Sequence, residues 1–303
     1  MDGVLLKKWW KNKMRKLWEY DFFKYFWTFL KNNNPIRQIK NRLIKITFIK
    51  KAPLILDIKG WSYDIDIYIV AFNKPELIEL QINILRRYLT DNYRLLVIDN
   101  SNNSVKSNEI MNICHSYEVS YVKLPVNRLR GSHSHWLALN YIMKNISNIT
   151  DSKYIWFLDH DCFLVKKMSF VNILKIQDMW GLLIDETPLR IRNSLFNMAW
   201  NKRFLWPWCS FYKKSLFDKW YDFFPTKHIF PISFLDTWWW NRKYIYRFFK
   251  KDKLELLQRS RDENIKWSEN IWNIFIHLWW AGYRDEVQVN DIFKNIKLNF
   301  LES

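Results

Sequence analysis

Between residues 64 and 165, apolar runs of strand length alternate with stretches whose apolar residues have helical spacing. The runs at 65–72, 94–98, 119–124 and 154–158 are rich in β-branched and aromatic residues, which is typical of buried strands. Helical spacing appears at 77–89, 107–116 and 137–144. Four rounds of this alternation predict an α/β fold with a mainly parallel sheet and helices on both faces.

Each of these predicted strands is followed by a polar side chain. Asn73, Asp99, Asn127 and Asp159 stand at or just beyond the four carboxyl ends. Ligands of open α/β sheets bind beyond the carboxyl ends of the strands. We therefore expect these side chains, although distant in sequence, to converge on one crevice.

The last of the four strands ends in two carboxylates, Asp159 and Asp161, separated by His160. Carboxylate oxygens bind Mg²⁺ or Mn²⁺, and such ions keep coordination positions for substrate phosphates. Acidic residues are also common in simple polar turns. These residues alone leave a metal site and a turn as equal alternatives.

The regions on either side of this core are less regular. Residues 5–30 combine aromatic residues with lysine and arginine at helical spacing, as in a helix that lies in a membrane interface or packs on the main domain. The runs at 43–49 and 54–58 predict short strands. A strand is predicted at 181–184, and a Trp-rich helix begins near 234. The predicted organisation is an N-terminal region, 1–60, and a main domain, 61–303, with halves at 61–165 and 166–303.

Composition narrows the classes of function. The 303 residues are 49% hydrophobic, which excludes wholesale disorder. Only 5 residues are glycine, and neither a Rossmann nor a P-loop glycine motif occurs. The net charge of +18 favours an anionic partner, namely nucleic acid, anionic lipid or a phosphorylated substrate.

The cysteine content and the hydropathy of the chain indicate the cellular compartment in which the protein is expected. The 3 cysteines form no C-x-x-C pair, so neither a disulfide scaffold nor a zinc site is indicated, and a reducing compartment is expected. We find no apolar run of bilayer-spanning length and no secretory signal. We expect a cytoplasmic protein. The N-terminal helix either packs on the domain or attaches the protein peripherally to the inner face of a membrane, and the sequence leaves both alternatives open.

Four segments in order resemble the inverting glycosyltransferases of the GT-A fold, in particular family 2-like enzymes. They are Tyr68-Ile-Val-Ala-Phe-Asn73, Leu96-Val-Ile-Asp99-Asn100-Ser101, Leu124-Pro-Val-Asn127-Arg128 with Gly131, and Phe157-Leu-Asp159-His160-Asp161. Two weaker matches are Leu235-Asp236-Thr237 and His277 before Leu-Trp-Trp-Ala-Gly282. The chain departs from the pattern where Arg128, rather than glycine, follows Asn127, and 187–230 matches no part of it.

The resemblance implies transfer of a sugar from a nucleoside-diphosphate sugar to a glycan or a lipid-linked glycan, with inversion, as in polysaccharide biosynthesis. It implies Mn²⁺ or Mg²⁺ as cofactor and an aspartate as general base. The implied roles are Asp161 and His277 as metal ligands, Asp159 on the metal or the ribose, Asp99 on the nucleotide base, Asn73, Asn127 and Arg128 along the donor, and Asp236 as the base.

Simpler interpretations stand beside these roles. Asp99 could cap a turn, Asp236 could cap a helix, and His277 could be a buried histidine. His133, His135 and His160 are expected at the surface or in hydrogen bonds, and Trp238–Trp240 in the core.

Three other functions compete with the transferase. A basic nucleic-acid-binding protein or nuclease fits the charge, but no nucleic-acid recognition motif occurs and no nucleic-acid partner is expected. A glycoside hydrolase would need two carboxylates and no metal. In a membrane scaffold, the N-terminal helix would be the whole function.

Overall fold

The computed structural model describes the chain in sections. They are residues 35–60, 62–127, 129, 132–176, 179–186, 202–215, 254–256, 259–261, 268–271, 273–278 and 294–301. The predicted helices at 5–30 and near 234 lie outside the described residues.

Twelve strands and five helices are labelled here in chain order. The strands are β1 Ile55–Asp57, β2 Ile65–Ala71, β3 Tyr93–Asp99, β4 Ser120–Lys123, β5 Tyr154–Asp159, β6 Cys162–Leu164, β7 Met179–Glu186, β8 Lys202–Lys213, β9 Leu254–Leu256, β10 Arg259–Arg261, β11 Ser268–Ile271 and β12 Phe275–Leu278. The helices are α1 Pro35–Ile49, α2 Pro75–Tyr88, α3 Ser104–Ser116, α4 Ser132–Tyr141 and α5 Phe170–Ile176.

A central sheet of eight strands has the order β1-β4-β3-β2-β5-β8-β7-β9. Its core, β4-β3-β2-β5, is parallel throughout, while β1 and β8 run antiparallel to their neighbours in that core. Strands of this core are buried along nearly their whole length, which is why they read as continuous apolar runs. The predicted α/β fold, with a mainly parallel central sheet, is confirmed.

Helices cover both faces of this sheet. α2 and α3 pack together over one apolar cluster, which contains Leu77, Leu80 and Trp156. α1 and α4 pack together over the other, which contains Phe48, Trp136 and Tyr68. Each face of the sheet is therefore covered, as a parallel sheet requires.

The sequence sets the ends of α2 and α3. Proline opens α2, Glu76 lies in its first turn and two arginines in its last, so the charges complement the helix dipole. Asn103 caps α3 by accepting hydrogen bonds from the N–H groups of Val105 and Lys106. Both helices were predicted from their spacing, but the prediction for α3 began at residue 107 and missed the first turn, which Asn103 caps.

A second sheet contains β6, the strand that follows β5 in the chain. Its order is β10-β11-β12-β6, antiparallel throughout. β6 follows β5 after a two-residue turn, and β12 pairs with it so that His277 stands opposite Cys162. This pairing brings a late part of the chain to the carboxyl edge of the central sheet.

The prediction of a strand at 43–49 is wrong, because these residues belong to α1. Ile44 and Phe48 are one helical turn apart, and both pack against the core beside α4. That packing outweighs the β preference of an isoleucine- and threonine-rich run. The neighbouring prediction, a strand within 54–58, is confirmed by β1.

Two further findings bear on the sequence predictions. Cys114, Cys162 and Cys209 are all free and buried, as expected for a chain without a disulfide scaffold. In the part of the chain that the structure describes, no helix has both the length and the hydropathy needed to cross a lipid bilayer.

Candidate active site

The turn between β5 and β6 is held from beneath by Gln81 of α2. The Gln81 side chain is fully buried, and its Nε2 donates hydrogen bonds to the carbonyl oxygens of Asp159 and Cys162, each at 2.8 Å. A buried amide can make these bonds only if the turn keeps this shape. Gln81 therefore fixes the backbone that presents Asp159 and Asp161, and nothing in the sequence singled it out.

Asp161 and His277 lie side by side. Nε2 of His277 is 3.8 Å from Oδ1 of Asp161, and only 12% and 14% of the two side chains are exposed. The N–H of Leu278 also donates to the Asp161 carbonyl oxygen at 2.9 Å, which ties β12 to the turn. The structure thus brings together the two residues to which the resemblance assigns metal ligation.

Asp159 has a different histidine partner. Nε2 of His135, on α4, lies 3.1 Å from Oδ1 of Asp159. The two side chains are 21% and 28% exposed, so the pair borders open space. The sequence left His135 as a surface or hydrogen-bonding residue, and its partner becomes visible only when α4 packs beside β5.

The two carboxylates differ in pKa. Burial raises the pKa of Asp159, but the charge and hydrogen bond of His135, together with His160 and His277, outweigh it, and the net shift is downward. Burial also raises the pKa of Asp161; His277 and His160 oppose it, the charge of Asp159 adds to it, and the net shift is upward. Asp159 is therefore the more acidic carboxylate of the pair, and a nearby cation would favour the ionised form of Asp161.

His160, between the two carboxylates, contributes one further polar atom. Its Nδ1 lies 3.1 Å from the carbonyl oxygen of Val70, which fits an Nδ1–H donor. Its Nε2 is buried and, among the described residues, has no hydrogen-bond partner. Such an atom in a polar crevice can accept a hydrogen bond from a ligand.

The donor set fits a divalent cation in its chemistry. Two ligand atoms about 2.1 Å from one ion lie about 3 to 4 Å apart, and the pair of Asp161 and His277 meets that separation. Within the described residues, no group of three or more His, Cys, Asp or Glu side chains forms a complete cage. A metal held by two protein ligands keeps its other coordination positions for substrate oxygens.

Asp99 occupies a different environment at the end of β3. Its side chain is fully buried, and Oδ2 accepts hydrogen bonds from Tyr121 at 2.7 Å, from Lys123 at 3.0 Å and from Ser107. Oδ1 accepts the N–H of Ser101 at 2.8 Å. Burial raises the pKa of Asp99, but these hydrogen bonds and the charge of Lys123 outweigh it, and the pKa is lowered.

The register shows that Asp99 and Asp159 lie on opposite faces of the sheet. Asp99 pairs with Ala71 of β2, and Asp159 pairs with Val70. Successive residues of a strand point to opposite faces, and paired residues of parallel strands share a face. Asp99 thus shares the edge of the sheet with Asp159 and Asp161 but not their pocket, and its contact with a nucleotide base stays a prediction.

Asn73 closes the end of β2. Its φ of 54° lies in the left-handed region, which asparagine tolerates better than most residues. Its N–H donates to Oγ of Ser101 at 2.8 Å, and its Nδ2 donates to Oδ1 of Asn102 at 2.7 Å. The loop ends after β2 and β3 are therefore joined into one rigid wall.

Asn127 extends the same wall beyond β4. Its Nδ2 donates to Oδ1 of Asn100 at 2.9 Å, and Nδ2 of Asn100 donates to Oγ of Ser134 at 2.9 Å. This chain of amides reaches α4 one residue before His135. The structure thus places Asn73 and Asn127 at the predicted edge, while Arg128 and Asp236 lie outside the described residues.

The sequence matches one family model. Residues 101–206 match the model of the galactosyl transferase GMA12/MNN10 family, over about a third of the chain. The matched segment contains Asn127, His135, Asp159 and Asp161. The predicted resemblance to a glycosyltransferase is thus supported, through a family other than the family 2 enzymes that the motifs resemble. No curated protein matches the sequence.

Solved structures of glycosyltransferases match the chain at low similarity. A mannosyltransferase from Pyrobaculum calidifontis, solved with GDP-mannose and Mn²⁺, is 10% identical at a TM-score of 0.37, over 65% of this chain and 55% of that one. The mannosyltransferase Ktr4p from S. cerevisiae is 12% identical at a TM-score of 0.38, over 60% and 66%. The glucosyl-3-phosphoglycerate synthase of Mycobacterium tuberculosis is 17% identical at 0.29, over 41% and 48%. The chain covers only 55% and 66% of the lengths of the first two proteins. Its activity is therefore inferred from its own site.

Proposed function

We propose that the chain transfers a sugar from a nucleoside-diphosphate sugar to a hydroxyl group of a glycan or a lipid-linked glycan. The observation that carries this proposal is the pairing of Asp161 with His277, two residues beyond Asp159, at the carboxyl edge of the parallel strands. The match of residues 101–206 to a galactosyl transferase family supports sugar transfer. The nucleic-acid alternative depends on net charge alone, and charge does not require these side chains to meet.

A divalent cation, Mn²⁺ or Mg²⁺, is part of this proposal. Asp161 and His277 would hold it, and Asp159 would either join them or accept a hydrogen bond from the ribose. When bound, the ion neutralises the charge that develops on the diphosphate leaving group. The imidazole ligand favours Mn²⁺, because Mg²⁺ prefers oxygen ligands alone.

The protein's own groups position the donor around this point. His135 holds the Asp159 carboxylate in one orientation, so that its second oxygen can face the ribose. The wall of amides from Asn73 to Asn127 limits where the nucleoside can lie. Arg128 would contact phosphate oxygens in bidentate fashion. Asp99 would reach a base only if one of its four donors gave way.

Transfer itself needs a base on the acceptor side. Asp236 is proposed to take the proton from the acceptor hydroxyl while the hydroxyl oxygen attacks the anomeric carbon opposite the leaving diphosphate, which inverts that carbon. A positioned general base contributes about 10²–10⁴-fold. Residues 166–303 would therefore supply both the acceptor side and the metal ligand His277.

The test is a transfer assay with nucleotide sugars and glycan acceptors, followed by NMR of the product anomer. We expect turnover that stops in the presence of a chelator and returns with Mn²⁺, and a product of inverted configuration. Asp236→Asn should bind donor normally and turn over about 10²–10⁴-fold more slowly.

The outcomes separate the parts of the proposal. Turnover that survives the chelator would remove the cation and favour a two-carboxylate hydrolase. A retained anomeric configuration would remove the inverting mechanism and leave the transfer itself. Tight oligonucleotide binding that weakens steeply with salt, without sugar transfer, would replace the proposal by the nucleic-acid alternative.

A further inference from the structure

Helix α1 has two apolar faces, and only one of them is packed. Phe48 is 3% exposed and joins the core with Ile44. On the other side, Ile39, Leu43 and Ile46 follow one another at intervals of four and three residues, which places them on one face of the helix. They are 59%, 58% and 51% exposed, and these three residues are called the outer face of α1 below.

An exposed stripe of three large aliphatic side chains is unusual on a soluble surface. Single exposed leucines or isoleucines need no explanation, but a contiguous row on one helix face marks a surface that contacts something apolar. Leu54 and Leu56, which follow α1 at the edge strand β1, are 62% and 50% exposed. Exposed apolar residues therefore continue from the outer face of α1 to β1.

The charge of this segment is entirely positive. Residues 35–56 contain six cations and no acidic residue: Arg37, Lys40, Arg42, Lys45, Lys50 and Lys51. Lys40, Lys50 and Lys51 are exposed, and Lys50 falls near the direction of the outer face on a helical projection. The first acidic residue is Asp57, at the end of β1.

We propose that the outer face of α1 docks on the surface of an anionic lipid bilayer. A helix with exposed aliphatic residues and surrounding cations lies in the plane of a bilayer, with its apolar side at the acyl boundary and its cations among anionic headgroups. Nucleic acid would satisfy the cations but would leave the aliphatic row in water, so lipid accounts for both features. The inference does not depend on the proposed sugar transfer.

The docking surface is distinct from the predicted N-terminal helix. The sequence assigned membrane contact to residues 5–30 and predicted strands for part of α1. The structure shows instead an amphipathic helix packed on α4, so a bilayer bound at its outer face would have a fixed orientation relative to the sheet. A lipid-linked acceptor would then approach the protein from one side.

The experiment is co-sedimentation of the full chain with vesicles of phosphatidylcholine alone or mixed with phosphatidylglycerol. The test variant is Ile39→Ser/Leu43→Ser/Ile46→Ser. The matched control, Val105→Ser/Val126→Ser/Leu298→Ser, removes three apolar residues that are 63%, 61% and 49% exposed elsewhere. Thermal unfolding of each variant checks that the fold is kept. We expect no loss of stability, because all six residues are exposed.

We expect the full chain to bind the anionic vesicles, the test variant to bind at least about tenfold more weakly, and the control variant to bind like the unchanged chain. Lys40→Gln/Lys50→Gln/Lys51→Gln should weaken binding to anionic vesicles and make it less sensitive to salt.

Equal binding by the test variant and the unchanged chain would overturn the proposal, as would no binding of the unchanged chain to anionic vesicles. Sedimentation equilibrium tests whether a second copy of the chain binds the outer face instead of lipid. A dimer that the test variant converts to monomer, with no vesicle binding by either, would make the outer face a contact between copies of the chain. Oligonucleotide binding that is lost with the same aliphatic changes would also overturn the assignment to lipid.

Discussion

The ends of β3 and β5 present carboxylates in opposite conditions. Asp99 at the end of β3 is fully buried, and both of its oxygens are taken up by donors from the protein. Asp159 and Asp161 at the end of β5 are partly exposed, and each has one histidine within 4 Å. The same residue type at the same edge of one sheet is thus fully hydrogen-bonded by the protein in one place and partly exposed in the other.

The difference follows from what surrounds each strand end. β3 lies between β2 and β4, with α3 packed above it, and Ser107, Tyr121 and Lys123 all point at the carboxylate of Asp99. β5 pairs with the antiparallel strand β8 and turns into β6, and at this turn Asp159 and Asp161 remain 28% and 14% exposed. A carboxylate with unused acceptor capacity in a crevice is where a cation or a sugar hydroxyl gains most.

The largest effect should come from Asp161→Asn. Loss of the main ligand of the proposed cation removes several kcal/mol of stabilisation of the departing diphosphate, so turnover of a nucleotide sugar should fall about 10³-fold or more. Asp151→Asn, at a carboxylate that is 58% exposed, is the matched control and should keep full turnover. If Asp161→Asn turned over normally and unfolded at the usual temperature, the carboxylate at the end of β5 would be no more important for activity than the one at the end of β3.

Asp99→Asn should instead act on stability. The change leaves the buried ammonium of Lys123 without its carboxylate partner, and breaking a buried pair in this way costs about 3 kcal/mol or more of unfolding free energy. Urea unfolding measures the loss. The control is Glu109→Gln, whose exposed pair with Lys106 at 3.0 Å should contribute less than about 1 kcal/mol. A stable Asp99→Asn that fails to bind nucleotide would show that Asp99 serves the ligand after all.

His135→Leu should have an intermediate effect. Residues that orient a metal or donor ligand typically contribute about 10–100-fold, so the variant should keep a normal unfolding temperature and lose turnover in that range, mostly through a higher KM for donor. His135→Gln, which keeps a hydrogen-bond donor, should restore part of the loss. His115→Leu removes a histidine that is 50% exposed and should change nothing. An unchanged KM would show that the contact with Asp159 is incidental.

The smallest effect concerns pH. The pKa of Asp99 is lower in the folded protein than its ordinary value of 3.8, so the folded state holds this carboxylate ionised after the unfolded state has bound a proton. Its contribution is complete above about pH 5 and is lost as pH falls through the folded pKa. The difference in unfolding free energy between the unchanged chain and Asp99→Asn should therefore be constant from neutral pH to about pH 5 and narrow below pH 4. A difference that widens on acidification would contradict the assigned direction.

Much of the fold was predictable because its signals are local. The buried strands follow from unbroken apolar runs, and α2 and α3 follow from the helical spacing of their apolar residues. The failure at 43–49 has the reverse cause, since residues of strand preference were drawn into a helix by packing against α4. Predictions that depended on one segment held, and the one that tertiary packing decided did not.

The site was predictable in its position and less so in its connections. The strand-end rule identified Asp159 and Asp161, and the resemblance identified His277. The contacts of Gln81 and His135 arise from α2 and α4 meeting the end of β5, and a single sequence gives no spacing from which to derive them. The same limit applies to Asp99. Its position at the end of β3 was predicted correctly, but its hydrogen bonds with Tyr121 and Lys123 form only when β4 packs beside β3.

The most direct test of the account is calorimetric titration of Mn²⁺ into the full chain in the presence of a nucleoside diphosphate. We predict one ion bound per chain, with binding lost in Asp161→Asn and in His277→Leu and kept in Asp99→Asn under conditions where that variant is folded. Binding that survives both of the first two changes, or that disappears with Asp99→Asn alone, would contradict the assignment of the ligand site to the end of β5.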